Sequence, residues 1–150
     1  NSGGESGGVF ISKNAGKSWE RQDKNGLPGG KGKPVGKIAV SISQSNPNTM
    51  YALCEEKHPG LYRTDNKGKS WYLVSRNHTL AERAPYYMRM AVDPNDPERI
   101  YVLNVQCIVF RKMEEKPLNL DIAQVAIIMI FGLTPKMEKE SWWRMMVVQA

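Results

Sequence analysis

The stretch 75–87, S-R-N-H-T-L-A-E-R-A-P-Y-Y, gathers Arg76, His78, Glu82, Arg83, Tyr86 and Tyr87, with Arg89 just beyond. Guanidinium groups there suit a carboxylate or a sugar hydroxyl, and phenol rings suit the apolar face of a sugar. Arg76, His78, Arg83, Tyr86 and Tyr87 form the candidate ligand-binding set. The competing reading packs the two tyrosines under the next strand and leaves the charges solvated. His58 lies in a second short connection, 55–59. Neither His58 nor His78 has a partner at metal-ligand spacing, so no metal or cofactor is expected. Asp93 and Asp96 resemble an acid–base pair, but D-P-N-D-P is a turn by composition, and turn closure is the expected role. No catalytic set is read from this chain. Cys54 and Cys107 give neither a disulfide framework nor a metal pattern and read as small buried hydrophobes.

Net charge is +6 in 150 residues. The lysines of the first half (Lys13, Lys17, Lys31, Lys33, Lys67, Lys69) sit in turns and form no aromatic-interleaved stripe, so a solvated surface is expected and no nucleic-acid partner. The continuous apolar run 125–133 is nine residues, against roughly 20 for a membrane span. The chain opens Asn1-Ser2-Gly3-Gly4 without an initiator Met, which is expected of a segment of a longer protein.

Those residues have to be positioned by a repeat. Ser12-Lys13-Asn14-Ala15-Gly16-Lys17-Ser18-Trp19 returns as Thr64-Asp65-Asn66-Lys67-Gly68-Lys69-Ser70-Trp71, both of the form [ST]-x-N-x-G-x-S-W. A second landmark returns about fifty residues on as well: Pro47, Tyr51 and Leu53 recur as Pro97, Tyr101 and Leu103. In the octet, Gly16 and Gly68 suit the positive φ of a tight hairpin turn. Asn14 and Asn66 can accept backbone hydrogen bonds inside the turn. Trp19 and Trp71 open the next strand and offer a large apolar face to a neighbouring sheet. Ser12 and Thr64 complete the structural positions.

Between the landmarks the chain reads as short strands. One unit has strands A to D at 37–43, 50–55, 60–64 and 70–74. Strands C and D of a unit before it fall at 9–12 and 18–21, and strands A and B of a unit after it at 88–92 and 100–105. Four short strands per repeat of about fifty residues predict an all-β chain, a partial β-propeller of about two four-stranded antiparallel blades. The divisions are a half blade 8–23, a full blade 36–75, the start of a third at 87–105, and an atypical tail 107–150.

The octets are similar to Asp boxes, S-x-D-x-G-x-[ST]-[WF], at the hairpin between strands C and D. The order G-K-I-A-V-S-I-S…N-P-N-T-M-Y-A-L…G-L-Y-R-T-D-N-K-G-K-S-W…A-V-D-P-N-D-P-E-R-I-Y-V-L-N resembles BNR-repeat propellers of the sortilin-like, "glycosyl hydrolase" type. The resemblance covers about two thirds of the chain. Asn14 and Asn66 stand where the family has Asp, which predicts the same turn with weaker hydrogen bonds. The resemblance implies an extracytoplasmic or secreted protein with a protein- or glycan-binding face formed by the D-to-A and B-to-C connections. The alternative it implies is a sialidase- or xyloglucanase-like glycosidase with its carboxylates on other blades.

After Gln106 the composition shifts: the last 44 residues hold five of eight Met and one of thirteen Gly. A genuine tail of unrelated type is one reading. Translation out of frame is the other, and the genetic code bears on it. Joining each codon's third base to the first two of the next forces Gly from Met113-Glu114, Asp from Met129-Ile130, Gly from Met137-Glu138, Asp from Met145-Met146 and Gly from Met146-Val147. With permitted synonymous choices, 110–118 becomes S-K-N-G-G-K-T-F, a third octet, and 128 onward becomes H-D-I-W-I-D-P-K-N-G-K-R-I-M-V. The expectation is therefore a frameshift between 106 and 110, with strands C and D of the third unit absent or irregular.

Overall fold

The computed structural model describes residues 4–84, 86–105 and 107–111, together with the backbone of a strand at 118–120. Among them are ten strands: β1 (Phe10–Ile11), β2 (Glu20–Arg21), β3 (Ile38–Ile42), β4 (Met50–Cys54), β5 (Gly60–Thr64), β6 (Tyr72–Ser75), β7 (Arg89–Val92), β8 (Arg99–Leu103), β9 (Cys107–Arg111) and β10 (Leu118–Leu120). A short 3-10 turn, His78–Ala81, is the only helical element among the described residues. The strands form a β1–β2 hairpin and two antiparallel meanders, β3-β4-β5-β6 and β7-β8-β9-β10, as a partial β-propeller requires.

Side-chain alternation divides the first meander into two apolar faces. Tyr51, Leu53 and Leu61 turn toward the second meander and join Met90, Val92, Ile100, Val102 and Ile108 in one core. Ala52, Cys54 and Tyr62 face the other way, with Trp71, Leu27, Val35 and, at the margin, Val9 and Ile11 of the β1 region. Leu53 and Leu61 are fully buried, worth roughly 1.5–3 kcal/mol each.

Polar links fix how the meanders meet. Innermost strands β3 and β7 lie side by side, and the Val92 N–H donates to Ser41 Oγ at 3.0 Å. Tyr51 donates its hydroxyl proton to the Pro97 carbonyl at 2.8 Å. Buried Arg63 reaches across to Glu98 with both terminal nitrogens.

Both octets close as the final hairpin turn of their sheets, with one geometry. Ala15 and Gly16 have φ of 55° and 83°, and Lys67 and Gly68 have 58° and 83°. Asn14 Oδ1 accepts from the Ser18 N–H at 2.8 Å, and Asn66 Oδ1 from the Ser70 N–H at 2.9 Å. The hydroxyls of Ser12 and Thr64 accept from the N–H of Gly16 and Gly68 at 2.8 and 3.1 Å. The Asn14 and Asn66 amides also donate to the hydroxyls of Ser18 and Ser70, each at 2.8 Å. The Asn form thus gains a donor that an Asp would lack.

Two expectations need correction. Trp19 does not pack against a neighbouring sheet: it is 63% exposed, whereas Trp71 is 6% exposed. The β1–β2 hairpin and the segment after it cover Trp71, and no described segment lies over Trp19. Strands C and D of the third unit are not absent either. β9 pairs residue for residue with β8 from Arg99↔Arg111 to Leu103↔Cys107, and β10 pairs with β9. Cys107, Ile108 and Val109 are apolar and strand-compatible, and burying Ile108 against Ile100 and Val102 is favourable whatever the origin of the sequence. Residues 121–150, including the apolar run 125–133 and Trp142-Trp143, lie outside the described residues.

Candidate functional site

The connection from β6 to β7 is built on three buried anchors. Asn77 caps the 3-10 turn, accepting from the Thr79 N–H at 3.1 Å and its hydroxyl at 2.9 Å. Leu80 and Ala81 then drop into the core, followed by Ala84. Asn104, in the β8–β9 connection of the next meander, ties the segment down from outside. Its amide donates to the Thr79 carbonyl at 2.8 Å, and its carbonyl oxygen accepts from the Arg83 N–H at 3.2 Å. The outward residues His78, Glu82, Arg83, Tyr86 and Tyr87 are exposed on this pinned loop. The tyrosines are not packed under β7, whose approach is filled by Met88.

Arg76 behaves differently from the other candidates. Its guanidinium donates to the His58 carbonyl at 2.5 Å and to the Tyr62 hydroxyl at 3.2 Å, pairs with Glu56 at 3.4 Å, and lies 5.9 Å from the Tyr62 ring centre. It joins the 55–59 and 76–88 connections, so these two loops share one end of the sheet. Burial, then the hydrogen bond to Glu56, raises the Tyr62 phenol above its ordinary range, leaving it a neutral donor at 2.8 Å. His58 and His78 are both exposed at this end.

The Cys54 thiol is pushed up to about 12, first by burial and then by nearby Glu56, and the Cys107 thiol to about 11 by burial. Neither presents a thiolate near neutral pH. Among the described residues, no group of three His, Cys, Asp or Glu side chains is placed to hold a metal ion.

At the opposite end sit the octet turns and the Asp93–Asp96 turn. Asp93 Oδ1 accepts from the N–H of Asn95 and of Asp96, at 2.9 and 3.2 Å, and its Oδ2 from the Tyr101 hydroxyl at 2.7 Å. Asp96 Oδ1 accepts from the Glu98 N–H at 3.0 Å, so both carboxylates close turns. Sequence reasoning missed the polar cluster beside them. Arg63 donates from Nε to Asp65 Oδ1 at 2.8 Å and from Nη1 to the Tyr51 hydroxyl at 2.9 Å, with its guanidinium 5.4 Å from the Tyr51 ring centre. Thr49 and Tyr72 add donors to Asp65 at 3.0 and 2.7 Å. Burial opposes charge on Asp65, but the hydrogen bonds from Arg63, Tyr72 and Thr49 outweigh it and hold its carboxyl below the ordinary 3.8. The available signal was Arg63 as the lone charged residue of strand β5.

No protein-family model and no curated protein matches the chain. Among solved structures, the GH74 xyloglucanase from Xanthomonas campestris is 19% identical with a TM-score of 0.48. That match covers 66% of this chain and 16% of the xyloglucanase chain.

Proposed function

We propose that residues 8–106 are a segment of an extracytoplasmic Asp-box propeller whose 76–88 connection binds a glycan. One observation carries this reading: Tyr86 and Tyr87 are exposed on a loop anchored by Leu80, Ala81, Ala84 and Asn104. Exposed rings on a pinned backbone offer a stacking surface that loses little freedom when a sugar binds. Arg83, whose carbonyl accepts from the Tyr86 and Tyr87 N–H groups, and His78 on the same connection add donors for hydroxyl or carboxylate groups. Arg76 contributes indirectly, by holding the loop.

The octets support the Asp-box part of the proposal. Two copies 52 positions apart fold to the same dihedrals and hydrogen bonds, with an Asn amide in place of the family's carboxylate. Residues 107–150 belong in this reading to a second reading frame. A sialidase- or xyloglucanase-like hydrolase is the alternative. It needs two converging carboxylates, and Glu56 is already engaged by Tyr62 and Arg76.

The test is a titration of the isotope-labelled chain with a neutral xyloglucan oligosaccharide and, separately, with sialyllactose. The expected result is saturable shifts at Arg83, Tyr86 and Tyr87 with one of the two, lost in Tyr86→Ala/Tyr87→Ala. No shift at these residues with either sugar at millimolar concentration overturns the glycan reading.

A further inference from the structure

The internal repeat shows what one half-bare sheet face is shaped to receive. Strand pairing sets the equivalences: Val40 faces Ala52 as Met90 faces Val102, and Ile42 faces Met50 as Val92 faces Ile100. Met90 and Val92 are 9% and 8% exposed, because the Tyr51–Leu53 side of the first meander covers them. Val40 and Ile42 occupy the same places one repeat earlier and are 58% and 55% exposed. The middle of their face is covered, while Leu73, paired with Tyr62 on the outer strand, is 43% exposed. Ala52, Tyr62 and Trp71 are buried under Val9, Ile11, Leu27 and Val35. On the inner strand the cover does not reach Val40 and Ile42.

We infer that the Val40–Ile42 face is a docking site for a two-stranded β-hairpin of this same repeat, standing in the place that β3 and β4 take against the second meander. The existing junction prescribes the occupant's chemistry. Its inner strand carries small residues at the positions of Ala39 and Ser41, with a hydroxyl to accept from the Ile42 N–H as Ser41 accepts from Val92. Its second strand carries Tyr and Leu at the positions of Tyr51 and Leu53. The Tyr hydroxyl reaches the Pro47 carbonyl as Tyr51 reaches that of Pro97. The junction differs at one point: Arg63 and Glu98 are replaced by their equivalents Ile11 and Asn48, so no ion pair spans the outer rim here. This inference rests on the repeat within the chain and is independent of any glycan.

The chain supplies its own probe, since residues 37–55 already make this contact once. A second copy of 37–55 is joined by a Gly/Ser linker ahead of residue 4. That point is close to β3, because the Gly4 N–H donates to the Val35 carbonyl at 3.3 Å. The added hairpin is expected to raise the thermal midpoint and slow amide exchange at Val40 and Ile42 by about tenfold or more. Val40→Asp/Ile42→Asp is expected to leave the melting of the unextended chain unchanged and to abolish the gain in the extended one. An added copy with Asp at its own positions 39, 51 and 53 should give no gain. Unchanged exchange at Val40 and Ile42 in the extended chain overturns the inference, as does unfolding of the unextended chain by the double substitution. An unextended chain that sediments as a dimer, and becomes monomeric with the double substitution, assigns the face to a second copy and also overturns it.

Discussion

Arg63, buried in the third strand of one meander, holds Glu98 at the turn before the second strand of the next with a two-pronged ion pair. The same guanidinium satisfies Asp65 and the Tyr51 hydroxyl, so one side chain joins two sheets and a turn. Arg63→Ala leaves Glu98, Asp65 and the Tyr51 hydroxyl short of a donor. The expected loss is about 3 kcal/mol, read from denaturant midpoints. Arg63→Lys should recover less than half of it, because an ammonium cannot serve Glu98 and Asp65 in one plane.

Acid should weaken the same junction. Asp65 has its carboxyl lowered below 3.8 in the folded chain. A depressed carboxylate contributes stability that is present above the unfolded value and is lost as pH falls through the folded one. Midpoints measured from pH 6 down to 2 should therefore fall below about pH 4. In Asp65→Asn that component should vanish, and an unchanged acid slope would show that other carboxylates account for it.

The two octet glycines separate backbone strain from packing. Gly16 and Gly68 share a φ of 83°. A Cβ on Gly68 would stand 2.3 Å from Ile11 Cδ1, while on Gly16 the nearest atom is 3.9 Å away on Trp19. Both Gly→Ala changes should destabilise by about 1 kcal/mol or more through the left-handed conformation. Gly68→Ala should cost measurably more than Gly16→Ala, and equal effects would count against the packing of β1 on the second octet.

Asn66→Asp should be close to neutral, because the hydrogen bond that its side-chain oxygen accepts from the Ser70 N–H becomes charge-assisted while the Ser70 hydroxyl turns to donate. Asn66→Ala should cost about 1 kcal/mol, since the Ser70 N–H loses its acceptor. Thermal melts of the pair decide it. A large loss in Asn66→Asp would mean that the amide donor is essential to this form of the turn.

The reading-frame proposal is tested in the gene. Removing or restoring one or two nucleotides near the Gln106 codon should open a frame encoding a third octet and then a D-P strand pair. Early stop codons in that frame would end the idea. The pairing of β9 with β8 does not depend on the answer, since Cys107, Ile108 and Val109 themselves satisfy the strand pattern.

The strands were legible because each unit repeats both turn chemistry and alternation. β5 falls at Gly60–Thr64 as expected, and the remaining expected strands lie within two residues of those observed. Burial was less legible. Trp19 and Trp71 occupy one motif position, yet only Trp71 has a neighbouring segment over it, and no local pattern encodes a neighbour. Arg63 escaped notice for the same reason, its partner Glu98 being 35 positions away on another sheet. At the candidate site, the composition of 75–87 supplied the candidate residues but left open whether Tyr86 and Tyr87 stand exposed or pack under the next strand. It did not reveal that Arg76 would turn back onto Glu56, His58 and Tyr62, because that depends on where the 55–59 loop ends.

The two faces of the β3–β6 sheet are not alike: one presents Tyr51 and Leu53, the other Val40, Ile42 and Ala52. Contact between sheets of this kind is heterologous, each using its front on the next one's back. A two-fold axis would bring identical faces together and lose the Tyr51–Pro97 and Ser41–Val92 hydrogen bonds. Growth along this direction is polar and has a built-in sense of rotation. It ends only by closing on itself or by a sheet whose last face is made hydrophilic.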